Sequence, residues 1–384
     1  MDTLTQTRDM LGDLIAFPTV SSDSNLDIIA YLADRLEDAG ARIEIFHDET
    51  GEKANLFGTL GPDTDGGIVL SGHTDVVPVQ DQVWASDPFM MDERDGRFYG
   101  RGSCDMKGFV AACTVLAPYF AARVKDRPLH FAYTYDEETG CFGAEALVGS
   151  LAQRGIAPSL AIVGEPTSMR VIDGHKGCYE YTTHFTGLAG HGSAPDLGVN
   201  AVEFAAQFVS RIIALKEELR ARTPDGSAFV PPYTTLNTGQ LIGGVAHNVI
   251  PDRASVAWDM RPVQPSDAVY VKDALERLCQ DELLPAMRAV DPQASITTEI
   301  LAEVEGLMPM AQNVARDLVM DLTGANGTDL VAFGTEAGLF QQSGMAVAIC
   351  GPGSIEQAHK ADEYLEIEQL SACLGMLERL GDRL

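Results

Sequence analysis

The stretch IVLSGHTDVVPV (68–79) begins as a buried β-strand and then breaks its own pattern. Ile68, Val69 and Leu70 form a short apolar run, Ser71 and Gly72 loosen the chain, and His73 and Asp75 follow before apolar residues resume. A short, continuous apolar run is what a strand covered on both faces requires. Taken alone, His73 and Asp75 read as a core histidine satisfied by a neighbouring carboxylate. The rest of the chain decides whether the pair is alone.

Around this stretch, helix and strand patterns alternate. SNLDIIAYLADRLEDAG (24–40) sets Leu26, Ile29, Leu32 and Leu36 at helical spacing and stops at Gly40. Short apolar runs come at 41–46, 54–60, 129–135 and 160–165, and MKGFVAACTVLAPYFAARV (106–124) reads as a buried helix. The order predicts an α/β layer: a mixed, largely parallel sheet flanked by helices. Ligands of such sheets sit beyond the carboxyl ends of the strands.

The style changes near residue 175. CYEYTTHF (178–185) alternates with period two, and 198–222 is an amphipathic helix with Val202, Phe208, Val209, Ile212 and Ile213 on its apolar side. Strand patterns at 234–244 and 254–263, a helix at 267–290 and a strand at 294–303 complete a β-α-β-β-α-β order, that of a ferredoxin-like sandwich. After it GLMPMAQNVARDLVM (306–320), MAVAIC (345–350) and a C-terminal helix return to the first style. The expected organisation is one domain of residues 1–174 plus 301–384, with 175–300 inserted into it.

The chain has 384 residues, 45% hydrophobic and 22% charged, which is too long for one comfortable core. With 27 Lys+Arg against 56 Asp+Glu, the net charge is −29. A surface of that sign repels phosphate backbones and anionic lipid, which argues against nucleic-acid and membrane partners. The seven cysteines are scattered without a Cys-x-x-Cys, as suits reduced thiols of a cytosolic protein. No secretory signal pattern opens the sequence, and no apolar run approaches the ~20 residues of a membrane span. A soluble, cytoplasmic protein is expected.

Other acidic or imidazole groups also stand where apolar runs end. YGRGSCDMKGF (99–109) puts Asp105 in a glycine-loosened loop before a helix. FAYTYDEETGCFGAE (131–145) ends a strand with Asp136, Glu137 and Glu138, LAIVGEPTS (160–168) ends another with Glu165, and CGPGSIEQAHKADEY (350–364) presents His359. Singly, each suits a solvated loop, a helix start or a structural histidine. Together they fall at the sheet edge where a ligand is expected. Two imidazoles with several carboxylates suit zinc or a similar divalent ion. One shared aspartate, two glutamates and a hydroxide carry four negative charges, which two Zn²⁺ would neutralise; paired metals are a recurrent device of hydrolases.

The motifs SGHTDVVP (71–78), DGRFYGRGSCDMKG (95–108), DEETGCFGA (136–144), GEPT (164–167), GHKG (174–177), GLAGHGSAPDLGVNA (187–201), NVIPD (248–252) and GPGSIEQAHKADEY (351–364) occur in that order. Together they resemble the M20 family of zinc aminoacylases and exopeptidases. AFPTVSSDSNL (16–26), FGTEAGLFQQSG (333–344) and CGPGSIEQAHKADEYL (350–365) most resemble the branch that removes acetate from N-acetyl-L-ornithine in arginine biosynthesis.

The resemblance implies a zinc-exopeptidase fold with an inserted lid and dimerisation domain, two Zn²⁺ per subunit with Co²⁺ as a possible substitute, a homodimer, and an N-acyl amino acid as substrate. It implies His73 and Glu165 on one metal, His359 and Glu138 on the other, and Asp105 bridging. Asp75 would fix the tautomer of His73, and Glu137 would be the general base. His191 would reach a partner subunit's site to polarise the scissile carbonyl, and Asn248 and Arg261 would approach the substrate carboxylate. Arg261 in WDMRPV equally suits pairing within its own sheet. Glu336, in a loop that marks the branch, is the expected partner of the substrate's δ-ammonium, or else a glutamate that orders its own loop. The rivals are a succinyl-diaminopimelate desuccinylase, a carboxypeptidase of the same machinery, and a two-lobed binding protein that needs neither the metal cluster nor Glu137.

Overall fold

The structure is a computed structural model that describes residues 2–384. The chain divides into two compact units. One runs to Gly174 and resumes over Pro309–Leu330 and Thr335–Leu384; the other comprises His175–Met308 and Val331–Gly334.

The first unit is built on an eight-stranded sheet in the order Arg42–His47, Ala54–Leu60, Leu129–Thr134, Ile68–His73, Leu160–Pro166, Ala346–Gly351, Ile172–His175, Asp329–Val331. From Leu129–Thr134 to Ala346–Gly351 the neighbours run parallel, while Arg42–His47 with Ala54–Leu60, Ala54–Leu60 with Leu129–Thr134, and Ala346–Gly351 with Ile172–His175 pair antiparallel. The parallel strands are the apolar runs seen in the sequence, because helices cover both faces and leave no polar side. Leu11, Leu32, Phe109, Phe120, Leu370 and Leu377 of those helices share the core with Leu70, Phe131 and Ile162 of the strands. Asn313 starts the helix Val314–Thr323 by accepting from the amides of Ala315 and Arg316. At Gly164 a Cβ would stand 2.0 Å from the Phe109 ring, so only glycine lets the buried helix press on this strand just before Glu165.

The second unit has strand Cys178–Thr186, helix Ala201–Arg220, strands Thr235–Gly243 and Arg253–Arg261, helix Pro265–Arg277 and strand Ser295–Val304. Its four-stranded antiparallel sheet has the order Thr235–Gly243, Arg253–Arg261, Cys178–Thr186, Ser295–Val304. This is the ferredoxin-like arrangement. Its core centres on Tyr181 stacked on Trp258 at 4.3 Å, with Phe208 edge-on to Trp258.

Two details depart from the sequence reading. The boundary expected at residue 300 falls inside the strand Ser295–Val304, whose pairing with Cys178–Thr186 holds it in the second unit. Ile213 does not join the apolar side of its helix; it is 56% exposed, and the buried stripe is Ala201, Ala205, Phe208, Ile212, Leu215 and Leu219.

Candidate metal centre

The chemistry-bearing residues of the first unit meet at the carboxyl ends of the parallel strands. His73 is the last residue of Ile68–His73, in register with Thr134, and Glu165 lies at the end of Leu160–Pro166. Asp136, Glu137 and Glu138 follow the strand Leu129–Thr134 directly, with Asp136 in the left-handed region at φ 54°. Asp105 sits in the turn Ser103–Lys107 ahead of the helix Gly108–Val115. His359 comes from the loop after Ala346–Gly351, also left-handed at φ 62°.

His73 Nε2 lies 3.1 Å from Asp105 Oδ1, while His359 Nε2 lies 3.3 Å from Asp105 Oδ2 and 2.9 Å from Glu138 Oε2. Asp105 therefore offers one oxygen to each imidazole. Two sets, His73–Glu137–Glu165 and His73–Asp105–Glu138, have ligand atoms within 4.8 Å of one another. His73, Asp105 and Glu165 are buried, and His359 keeps 52% of its side chain exposed.

The charges are out of balance without a cation. Burial, and then the charges of its neighbours, push Glu137 and Glu165 well above the usual glutamate range. Burial and the charge of Asp105 raise Glu138 to about 7. Burial alone would depress His73, but the Asp105 hydrogen bond and the surrounding carboxylates reverse that and raise it well above an ordinary histidine. Among the described residues, Glu165 Oε1 is buried with no hydrogen-bond donor. A buried carboxylate oxygen without a donor is costly unless a cation meets it. The donor set, two imidazoles with carboxylates, fits a pair of zinc-like ions.

Residues 69–383 match the family model described as peptidase family M20/M25/M40. The chain belongs to the M20 family. It is 37% identical over 361 residues to an acetylornithine deacetylase of Shigella sonnei (strain Ss046), covering 92% of this chain and 91% of the relative. An M20 family metallo-carboxypeptidase from Sulfolobus solfataricus has the same fold, with a TM-score of 0.76 at 16% identity over 99% of both chains. So does a tripeptidase from Staphylococcus aureus, at 0.71 and 17% over 99% of both chains. The M20 family is metal-dependent, and the chain is a hydrolase of that family.

Within this M20 chain, Asp75 is placed differently from expectation. His73 Nδ1 is 2.9 Å from the main-chain carbonyl of Asp75 and 3.6 Å from its carboxylate. The carboxylate instead accepts from Ser21 Oγ at 2.7 Å and from the amides of Glu137 and Glu138 at 3.1 and 3.4 Å. It steadies the acidic turn, and the carbonyl steadies the imidazole.

Glu336 is not placed to meet a substrate ammonium. It is wholly buried, and its two oxygens accept from Ser71 Oγ at 2.6 Å and Thr134 Oγ1 at 2.7 Å. It ties together the ends of the two strands that carry His73 and the acidic turn.

Glu363 is a residue that the sequence reading missed. Its buried carboxylate accepts from the amides of Gly102, Cys104 and Asp105 at 3.1, 2.9 and 3.0 Å and pairs with Arg101 at 2.8 Å. It thereby fixes the loop that aims Asp105. Lys53 does the same for the acidic turn, reaching both oxygens of Asp136 at 2.6 and 2.7 Å. The acidic residue four places after His359 was the available signal for Glu363.

In the second unit, His191 is exposed, with Nδ1 2.7 Å from Ser193 Oγ. Its two-residue strand pairs with Val249–Ile250, which brings Asn248 beside it, and Gly192 N donates to the Asn248 carbonyl at 2.8 Å. Arg261 lies at the other end of its strand from Arg253, paired with Asp259 at 3.2 Å and Glu180 at 3.4 Å on its own sheet.

Proposed function

We propose that this chain is a two-metal amidohydrolase that converts N-acetyl-L-ornithine and water to L-ornithine and acetate. The observation that carries the reaction class is the convergence of His73, Asp105, Glu138, Glu165 and His359 on one strand edge, with Glu165 Oε1 lacking any donor. The substrate is supported by 37% identity to the Shigella deacetylase over nearly the whole chain.

His73 and Glu165 would hold one ion and His359 and Glu138 the other, with Asp105 shared; zinc suits this set and cobalt can replace it. When bound, such a pair makes water acidic enough to attack at neutral pH and polarises the amide carbonyl. Glu137 takes the proton of the attacking water and gives it to the amine nitrogen as the C–N bond breaks. Its elevated pKa, caused first by burial, suits both halves of that transfer.

Asn248 and Arg261 are assigned to the substrate carboxylate, which a planar guanidinium can bind with two parallel bonds. His191 is assigned to the scissile carbonyl of a partner subunit's site, in a homodimer formed through the second unit. In support, Thr235–Gly243 is an edge strand bearing exposed Leu241 and Ile242, and the adjoining Val245 is 87% exposed. Unpaired apolar edges of this kind are normally covered. All seven cysteines are free thiols, in keeping with a cytoplasmic setting. Among the described residues no helix is long and apolar enough to cross a membrane.

The test is kcat/KM over N-acetylornithine, N-succinyl-diaminopimelate, N-acetylmethionine and dipeptides, with metal content measured on the same sample. N-acetylornithine is expected to lead the panel. A preference for the succinylated substrate or for dipeptides overturns the substrate, and full activity without metal overturns the reaction class.

A further inference from the structure

The acidic turn carries a group that the proposed reaction does not use. Cys141 lies four residues after Glu137, 2% exposed, at the start of the helix Phe142–Arg154. Its Sγ is 3.5 Å from Glu137 Oε1 and 3.7 Å from the Glu137 carbonyl. The thiol has one proton and two acceptors in reach, and the nearer one is the carboxylate, the stronger acceptor. Among the described residues this is the one side-chain hydrogen bond made to the Glu137 carboxylate.

The backbone explains why the contact persists. The amides of Gly140 and Cys141 both donate to the Glu137 carbonyl at 3.1 Å, and the Glu137 amide is held by Asp75 Oδ1. Cys141 itself sits in the left-handed region at φ 58°, a conformation non-glycine residues rarely adopt unless their surroundings impose it. The turn therefore fixes the main chain of Glu137 on one side and presents the thiol to its side chain on the other. The glutamate has three rotatable bonds that the main chain does not restrain.

We infer that Cys141 is a positioning residue for Glu137: its thiol donates to Oε1 and restricts the carboxylate to the orientation in which the second oxygen faces the reacting water. The inference rests on Glu137 being the base, as proposed above. A thiol suits this task because it is a weak donor. It restrains the carboxylate without removing the basicity that proton transfer needs. A hydroxyl at the same place restrains it too, from a shorter bond.

The experiment compares the full chain and its Cys141→Ala, Cys141→Gly, Cys141→Ser, Glu137→Gln, Glu137→Asp and Cys141→Ala/Glu137→Asp variants. It uses the N-acyl amino acid that the wild type hydrolyses fastest, with metal content measured throughout. Glycine adopts a positive φ freely, so Cys141→Gly removes the donor even if the alanine variant folds poorly. Losing one restraining hydrogen bond is expected to lower kcat about 3- to 10-fold in the alanine and glycine variants, with KM and metal content unchanged. Cys141→Ser should recover most of the loss. In the Glu137→Asp background the shorter carboxylate no longer meets the thiol, so Cys141→Ala should cost nothing further.

Wild-type kcat in the alanine and glycine variants, a serine variant as slow as alanine, or a full additional loss in the aspartate background each overturns the inference. Glu137→Gln separates the two levels of the argument. If that variant keeps wild-type turnover, the base assignment fails and the inference with it. If it is inactive while Cys141→Ala is fully active, the inference alone fails.

Discussion

The imidazole of His73 is held by the main-chain carbonyl of Asp75, at 2.9 Å, and not by its carboxylate, at 3.6 Å. A carbonyl can only accept, so a proton sits on Nδ1, and Nε2, which donates to Asp105 at 3.1 Å in the metal-free protein, is the nitrogen that would be freed to meet a metal. The freed carboxylate fastens Ser21 and the amide of Glu137. One residue thus couples the histidine proposed as a ligand to the turn that carries the proposed base.

Asp75→Asn separates these two functions. The variant keeps the carbonyl that orients His73 and weakens the acceptor that holds the Glu137 turn. Metal affinity should fall less than the ~10- to 100-fold typical when a carboxylate that orients a ligand histidine is lost, while kcat falls clearly. Metal titration beside steady-state kinetics checks this. A large loss of metal affinity at unchanged kcat would return the orienting role to the carboxylate.

Glu336→Gln should act alike on every substrate. Its carboxylate is spent on the Ser71 and Thr134 hydroxyls, and hydrogen bonds to a charged group are worth about 1.5–3 kcal/mol. The expected outcome is lower thermal stability with equal proportional losses of kcat/KM on N-acetylornithine and N-acetylmethionine. A loss confined to N-acetylornithine would bring Glu336 back to the substrate.

The metal-free protein should lose stability as pH rises. Burial and Asp105 raise Glu138 from 4.5 to about 7, and hydrogen bonds to Asp105 and Glu138 raise His359 from 6.5 to about 10. Between each pair of values the folded state holds a proton that the unfolded chain has released, so each contribution is present below the lower value and lost through the higher one. Asp105 is depressed by its two imidazole partners against the effect of burial, and its contribution disappears only in acid. Burial depresses His130, His175 and Lys107 and so opposes this trend. The raised groups of the site (His73, Glu137, Glu138, Glu165 and His359) outnumber them, and chelator-treated protein should melt at progressively lower temperature from about pH 5 to about pH 9. Added zinc should stabilise it more at the alkaline end, because binding displaces those protons. A melting temperature that rises over this range without metal would contradict the electrostatics of the site.

Where the sequence was legible, the signal was local. His73 and Glu165 each interrupt an apolar run at a strand end, and Asp136, Glu137 and Glu138 follow another directly. The mixed, largely parallel sheet and the β-α-β-β-α-β pattern could be read from the same periodicities. The misreadings involve distant partners. Glu336 looked like a loop carboxylate because its hydroxyl donors lie 265 and 202 residues away. Glu363 escapes a local reading because the amides it holds lie some 260 positions upstream, at Gly102, Cys104 and Asp105. Apolar spacing puts Ile213 with the buried side of its helix, but the stripe facing the core runs through Ala201, Ala205, Phe208, Ile212, Leu215 and Leu219 and leaves Ile213 outside it. Residues 301–304 stay with the second unit because their strand pairs with Cys178–Thr186, a contact that composition does not show.

The central claim is that Glu137 moves the proton while other residues hold two metal ions. It is tested most directly by measuring metal content and turnover together in Glu137→Gln. Loss of a general base typically costs about 10²- to 10⁴-fold. The expected result is a kcat reduced on that scale with both metal equivalents retained, because the amide cannot accept the water's proton and is not needed as a ligand. Loss of a metal equivalent would place Glu137 among the ligands with His73 and Glu165, and turnover near that of the wild type would remove it from the reaction.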